Sequence, residues 1–150
     1  MGRKNLSKSE LQGVASGCAC RRVRGAARAL TRLYDEALRP TGLRVTQFTL
    51  LVAAELRGGA LISEIADALA LERTSLTREL KLLERRGLVS ITPGEDRRAR
   101  IVELTKDGQS ALAAAYPRWR EAQRRVLADT GHADWSELAG RIAALEAAHG

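Results

Sequence analysis

The sequence predicts a mainly α fold with one small β-hairpin wing. Three observations carry that expectation. Apolar residues recur every three or four positions in several segments, and aromatics are few, with two Trp, two Tyr and one Phe. From Leu61 to Arg86 two short helical patterns meet at a tight turn at Ala70-Leu71. Directly after Gly87, two alternating β-rich strings, Leu88-Val89-Ser90-Ile91-Thr92 and Arg100-Ile101-Val102-Glu103-Leu104, face each other across Pro93-Gly94. Together these form a winged helix-turn-helix over about residues 45–105, flanked by long helices at about 17–39 and 106–148.

A chain of 150 residues fits one domain and is long enough to bury a core. No apolar run approaches the roughly 20 residues that cross a bilayer. The N-terminus MGRKNLSKSE lacks the apolar segment of a signal peptide. A cytoplasmic protein without a membrane partner is expected. The net charge of +7 suggests a polyanionic partner. Residues 1–28, however, hold seven basic groups against Glu10, so the remainder is nearly neutral. Any case for nucleic acid rests on where the arginines sit.

Residues 1–12 read as a mobile basic tail. A long helix begins near Cys18, with Val23, Ala27, Leu30, Tyr34 and Ala37/Leu38 as its apolar stripe. Arg21, Arg22, Arg24, Arg28 and Arg32 crowd its other faces, as a solvated surface or as phosphate contacts. Pro40 and Gly42 stop it. A second helix runs from Thr46, its expected N-cap, to Leu56, with Phe48, Leu51, Val52 and Leu56 as the buried side. Gly58-Gly59 ends it. Ser63 is the expected cap of a short third helix in which Ile65, Ala66 and Leu69 point inward. Glu64 in its first turn suits the helix dipole. At Ala70, alanine implies either a turn without positive φ or a little strain.

The next helix covers about Arg73 to Arg86. Leu76, Leu80 and Leu83 fix it to the core. The opposite stripe is Thr74, Thr77, Arg78 and Lys81, bordered by Ser75. Short hydroxyls let the backbone approach base edges, and Arg78 carries a fork that matches guanine O6 and N7. The bland reading is a polar surface helix, with Glu72, Glu79 and Glu84 balancing its basic residues. The hairpin weighs against that reading. Its loop, about seven residues long, holds Glu95, Asp96, Arg97, Arg98 and Arg100. Arginine is the side chain that enters a narrow, electronegative minor groove. Asp96 sits two residues before Arg98, placed to brace its guanidinium.

Thr105 caps a long helix with Asp107 in its first turn. Leu112, Tyr116, Trp119 and Val126 lie at helical spacing, and Pro117 predicts a kink near 113–117. A last helix after Gly131 carries Trp135, Leu138, Ile142 and Leu145, a coiled-coil-like seam. The terminal helices hold more apolar surface than one small winged domain can cover. A second copy of the chain is the expected partner.

The chain resembles the MarR (multiple antibiotic resistance regulator) family over nearly its full length. The resemblance lies in Gly42-Leu43-Arg44-Val45-Thr46-Gln47-Phe48, in Glu72-Arg73-Thr74-Ser75-Leu76-Thr77-Arg78, and in Leu83-Glu84-Arg85-Arg86-Gly87-Leu88-Val89. It continues through the wing string Asp96-Arg97-Arg98 and the exit Leu104-Thr105. The resemblance implies a two-fold dimer, usually a repressor, whose N- and C-terminal helices form the interface. It implies recognition helices in successive major grooves of a pseudo-palindromic operator on double-stranded DNA. It also implies wing arginines in the flanking minor grooves, above all Arg98 oriented by Asp96. Two-fold symmetry sets half-sites roughly 10 bp apart.

Cys18-Ala19-Cys20 is the one place for redox chemistry. At i, i+2 of one ordered helix the two side chains point about 160° apart and cannot bridge. A metal reading is poor, because only His132 and His149 are available, far along the chain. Cys20 resembles the sensing cysteine of the family's peroxide-responsive branch, and Tyr34 resembles one of the tyrosines that hold it from the other subunit. Arg24 falls near the place of the second tyrosine, and a guanidinium favours a thiolate. The plainer reading makes both cysteines small buried hydrophobes. The other trigger the family implies is a small aromatic or amphipathic effector between the dimerisation helices and the winged domain.

Three function classes follow. The first is a DNA-binding transcriptional regulator, released by a small ligand or by thiol oxidation. The second is a winged-helix protein-interaction module without DNA binding; Thr74, Thr77, Arg78 and Arg98 argue against it. The third is an enzyme. No phosphate-binding Gly loop, nucleophile elbow or His-based metal cluster is present, so neither a catalytic site nor a cofactor or metal is expected.

Overall fold

The computed structural model describes residues 5–96, 99–129 and 135–149. These residues form seven α-helices, a short 3-10 turn and a three-stranded antiparallel sheet.

The expected tail is helical from Lys8 onward. Helix α1 (Lys8–Gly17) precedes the expected first helix. Its start is set by a reciprocal cap. The Ser7 hydroxyl accepts from the Glu10 N–H at 3.2 Å, and the Glu10 carboxylate accepts from the Ser7 N–H at 2.7 Å. Those bonds, the backbone one first, hold the Glu10 carboxyl below its usual range. Helix α1 buries none of its residues. It ends at Cys18, which is extended (φ −66, ψ 109), and α2 (Ala19–Leu38) starts afresh. Cys18 therefore lies between two helices, and the bar to pairing drawn from a single ordered helix does not apply to it. Along α2, burial grows toward the C-terminal end: Val23 is 54% exposed and Leu38 fully buried. The 3-10 turn Arg39–Thr41 and Gly42, at φ +71, then turn the chain.

Helix α3 (Val45–Arg57) is the centre of the core. It starts before Thr46, so Thr46 is not its cap. The first turn is held from outside: Asp35 Oδ1 accepts from the Val45 N–H at 2.7 Å, and Gln47 Oε1 accepts from the Arg44 N–H at 3.2 Å. Phe48, Leu50, Leu51, Ala53 and Ala54 are buried. The buried side lies further round the helix than its sequence pattern suggests. Val52 is half-buried and Leu56 is 79% exposed, because their face opens on a cleft beside α6 rather than on the core.

After Gly58 and Gly59, strand β1 (Ala60–Leu61) pairs with a later strand and keeps the backbone extended. Helix α4 (Ile62–Ala68) therefore starts at Ile62. The Leu61 N–H is taken by the Glu64 carboxylate at 3.0 Å, so Ser63 is inside the first turn and is not the cap. Ile65 and Ala66 are buried against the core. The turn closes with the Leu71 N–H on the Ala66 carbonyl at 3.0 Å, and Ala70 adopts φ +49. Of the two readings at Ala70, strain is the one the backbone takes. A left-handed alanine costs about 1–2 kcal/mol.

Helix α5 (Arg73–Arg85) lies across this unit, with Leu76, Leu80 and Leu83 at 1% exposure or less. Each such side chain contributes about 1.5–3 kcal/mol of burial. The helix stops at Gly87, at φ +70, where the Leu88 N–H reaches back to the Leu83 carbonyl at 3.0 Å. Strands β2 (Val89–Pro93) and β3 (Arg100–Leu104) form the hairpin, in register from Val89 opposite Leu104 to Pro93 opposite Arg100. Strand β1 adds to the far side of β3, giving the order β1-β3-β2. Nothing in the sequence pattern announced β1; two residues carry no periodicity.

Thr105 caps α6 (Lys106–Asp129) as expected, accepting from the Gly108 N–H at 3.0 Å and donating to the Gly87 carbonyl at 2.6 Å. Pro117 lies inside α6. Gly108 is packed so closely that a Cβ there would lie 1.9 Å from the Leu88 carbonyl oxygen. Helix α6 packs on α2 and α3, burying Ala115, Ala122 and Val126, while Tyr116 is 50% exposed. Helix α7 (Trp135–His149) follows, with Ile142 and Leu145 of the expected seam on its open face. No helix among the described residues is long and apolar enough to cross a membrane.

Candidate nucleic-acid interface

The leucines of α5 fix one side of the helix inward and so turn Thr74, Thr77, Arg78 and Lys81 outward. These four line one shallow groove with Arg73 and Arg85. All six are exposed. The Thr77 hydroxyl donates to the Arg73 carbonyl at 2.7 Å, which folds it against the helix and keeps the surface low there. Ser75 is exposed at the border of the stripe, outside the groove lining. Arg85 extends the stripe beyond the residues expected from the sequence, four residues after Lys81 and seven after Arg78. The result is a strip of cations and hydroxyls without a carboxylate in its lining, shaped to follow a charged, ridged polymer.

A second concavity joins this strip to the wing. Ser63 from α4, Arg73 from α5, and Asp96 and Arg100 from the hairpin line it. Arg73 belongs to both surfaces. The hairpin loop is closed at its base by the Gly94 N–H on the Ala99 carbonyl at 3.0 Å and the Ala99 N–H on the Asp96 carbonyl at 2.8 Å. Arg97 and Arg98 lie outside the described residues, and so does the expected bracing of Arg98 by Asp96.

Behind the strip, Glu79 is not the surface counter-charge expected of it. It is 7% exposed, and its carboxylate accepts from Arg44 Nη2 at 3.1 and 3.4 Å and from Gln47 Nε2 at 3.0 Å. Helical spacing gave part of the signal, since Glu79 lies next to Leu80 and three residues after Leu76. Its partners, 35 and 32 residues away, were invisible.

The redox candidates are both free thiols, Cys18 half-buried and Cys20 exposed. In a single copy neither is fully buried. Arg24 Nη2 lies 3.5 Å from Cys20 Sγ. Tyr34 donates its hydroxyl to Gln123 Oε1 on α6, and burial raises its pKa. No group of three or more His, Cys, Asp or Glu side chains able to hold a metal is found among the described residues.

Between α3 and α6 runs the apolar cleft that leaves Leu56 open. Phe48, Val52, Leu56, Leu112 and Tyr116 line it, with Glu55 and Gln109 at its rim, joined at 3.2 Å. Phe48 stacks on Trp119, and Trp119 on Tyr116.

Comparison with known proteins matches residues 41–99 to the MarR family. An HTH-type transcriptional regulator of Bacillus subtilis, YwoH, is 31% identical over 103 residues, 69% of this chain and 75% of that protein. The crystal structure of the Mycobacterium tuberculosis transcriptional regulator MosR in complex with DNA is similar at a TM-score of 0.79 and 44% identity, covering 87% of this chain and 95% of that one. A mutant of Escherichia coli MarR complexed with operator DNA shares the fold, with a TM-score of 0.75 at 20% identity over 92% of this chain and 98% of that one.

Proposed function

This chain belongs to the MarR family of transcriptional regulators, which are not enzymes, and from that premise we propose that it is a dimeric repressor binding a pseudo-palindromic operator in double-stranded DNA. One observation carries the reading: Arg73, Thr74, Thr77, Arg78, Lys81 and Arg85 form a single exposed strip along α5. On this reading the N-terminal half of α5 meets base edges, with Arg78 pairing to guanine. Lys81 and Arg85 then hold phosphates. Arg97, Arg98 and Arg100 of the wing flank the minor groove, with Asp96 orienting Arg98. The MosR and MarR complexes with DNA support this use of the shared fold.

The dimer is built from α1, α2, α6 and α7. Exposed Leu11, Val14, Val23, Ile142 and Leu145 support that role, since a single copy leaves them in water. Two triggers act on the dimer by favouring a spacing that misplaces the two α5 helices. One is a small aromatic or amphipathic molecule in the α3–α6 cleft, against Phe48 and Tyr116. The other is oxidation at Cys18 and Cys20, with Arg24 beside the Cys20 sulfur. Tyr34 from the second copy is the expected neighbour of Cys20.

The reading is tested with the duplex upstream of the protein's own gene. The wild type binds it in preference to a scrambled duplex of equal length, and Arg98→Ala weakens that binding strongly. Equal binding of both duplexes by the wild type refutes DNA reading; an unaffected Arg98→Ala refutes the part given to the wing.

A further inference from the structure

We infer that Glu79 is a positioning residue that fixes the rotation of α5 about its own axis, a role resting on the proposal that α5 reads DNA. Burying a carboxylate carries a desolvation cost that its ion pair can fail to recover, and an apolar residue of similar size would pack at least as well beside Leu76, Leu80 and Leu83. Glu79 therefore does something that burial alone does not. Leu76, Leu80 and Leu83 decide which side of α5 faces the core, but hydrophobic burial is non-directional and sets the fine rotation of the helix less sharply. Hydrogen bonds are directional. The Glu79 carboxylate takes three, from Arg44 Nη2 at 3.1 and 3.4 Å and from Gln47 Nε2 at 3.0 Å.

The anchor is itself fixed. Gln47 is 5% exposed, and its other amide atom, Oε1, accepts from the Arg44 N–H at 3.2 Å. The next N–H, that of Val45, is held by Asp35 of α2 at 2.7 Å. A polar chain thus runs from α2 through the first turn of α3 to the back of α5. Glu79 follows Arg78 directly, about 100° round the helix. A roll of α5 swings Arg78 off its base while the phosphate-seeking cations still reach a backbone. The tether therefore governs discrimination between sequences more than adhesion to DNA.

The test uses full-length Glu79→Gln, Arg44→Gln and the double variant. Each is titrated with salt on the duplex upstream of the gene and on a scrambled duplex. Glu79→Gln is expected to lower affinity for the upstream duplex by about tenfold or more, the loss of a bidentate base contact. Its affinity for the scrambled duplex and its salt slope stay at wild-type values. Arg44→Gln matches it, and the double variant loses no more than either single, as for two residues of one unit. Arg44→Lys keeps the charge but not the reach and direction of the Nη2 donor, and retains the fold if Glu79→Gln unfolds; it is expected to lose part of the discrimination. Unchanged discrimination overturns the inference. So do additive losses with the salt slope falling by about one on Arg44→Gln, which would make Arg44 a phosphate contact. A wild type that does not distinguish the two duplexes removes the DNA reading first, and the role of Glu79 with it.

Discussion

Phe48 stacks on Trp119 with ring centroids 5.9 Å apart and planes inclined by 20°. It is the single phenylalanine of the sequence, and it ties α3, the centre of the winged unit, to α6 outside it. Phe48→Ala is expected to cost about 3–5 kcal/mol, and the Phe48–Trp119 pair to show a coupling of about 0.5–1.5 kcal/mol in a double-mutant cycle by chemical denaturation. Additive single losses would mean that the rings only fill space.

Two backbone positions predict opposite signs. Ala70 stands at φ +49 in the turn between α4 and α5. Ala70→Gly is expected to stabilise by up to about 1 kcal/mol, because glycine enters this region without the Cβ clash. Gly108→Ala places a methyl 1.9 Å from the Leu88 carbonyl oxygen, which belongs to backbone and cannot swing away. A loss of about 3 kcal/mol or more is expected, in the range of severe overpacking. Thermal melts of both variants decide the signs.

Helix α1 carries a pH dependence of known direction. The Ser7 N–H and hydroxyl hold the Glu10 carboxyl below its usual value. A lowered folded value makes the cap fully stabilising above the unfolded carboxylate range and removes it as the pH falls through the folded one. The helical chemical shifts of residues 8–17 are expected to fade over that acid range. In Glu10→Gln the fading is expected to be absent; its persistence would assign it to another group.

Much of this is legible in the sequence because it is local. The period of Leu76, Leu80 and Leu83, the hydroxyl and arginine stripe opposite, and the alternation on either side of Pro93-Gly94 all lie within one element or hairpin. The chain also announces α1, through Ser7 and Glu10 in capping-box spacing, but the surrounding basic residues mask it. The starts of α3 and α4 depart from their local signals for a different reason. A hydroxyl at Thr46 or Ser63 is a good local cap, yet Asp35 from ten residues upstream and the pairing of β1 with β3 settle where those helices begin. Glu79 is hidden in the same way, since its burial depends on Arg44 and Gln47. Long-range pairing of polar groups leaves no period to read.

The thiols give a chemical prediction. Peroxide treatment of the wild type is expected to release the upstream duplex, and Cys20→Ser to stay bound. Mass spectrometry of the released protein identifies the oxidised sulfur. Wild type that keeps its DNA under peroxide leaves the α3–α6 cleft as the remaining trigger.

On the proposed function, the exposed strip of α5 reads double-stranded DNA. That reading is met most directly by salt-titrated anisotropy of wild type, Arg78→Ala and Lys81→Ala on the upstream duplex. Lys81→Ala is expected to lower the salt slope by about one, whereas Arg78→Ala is expected to lose about 1–3 kcal/mol of sequence preference with the slope unchanged. Wild-type slope and preference in both variants would contradict it.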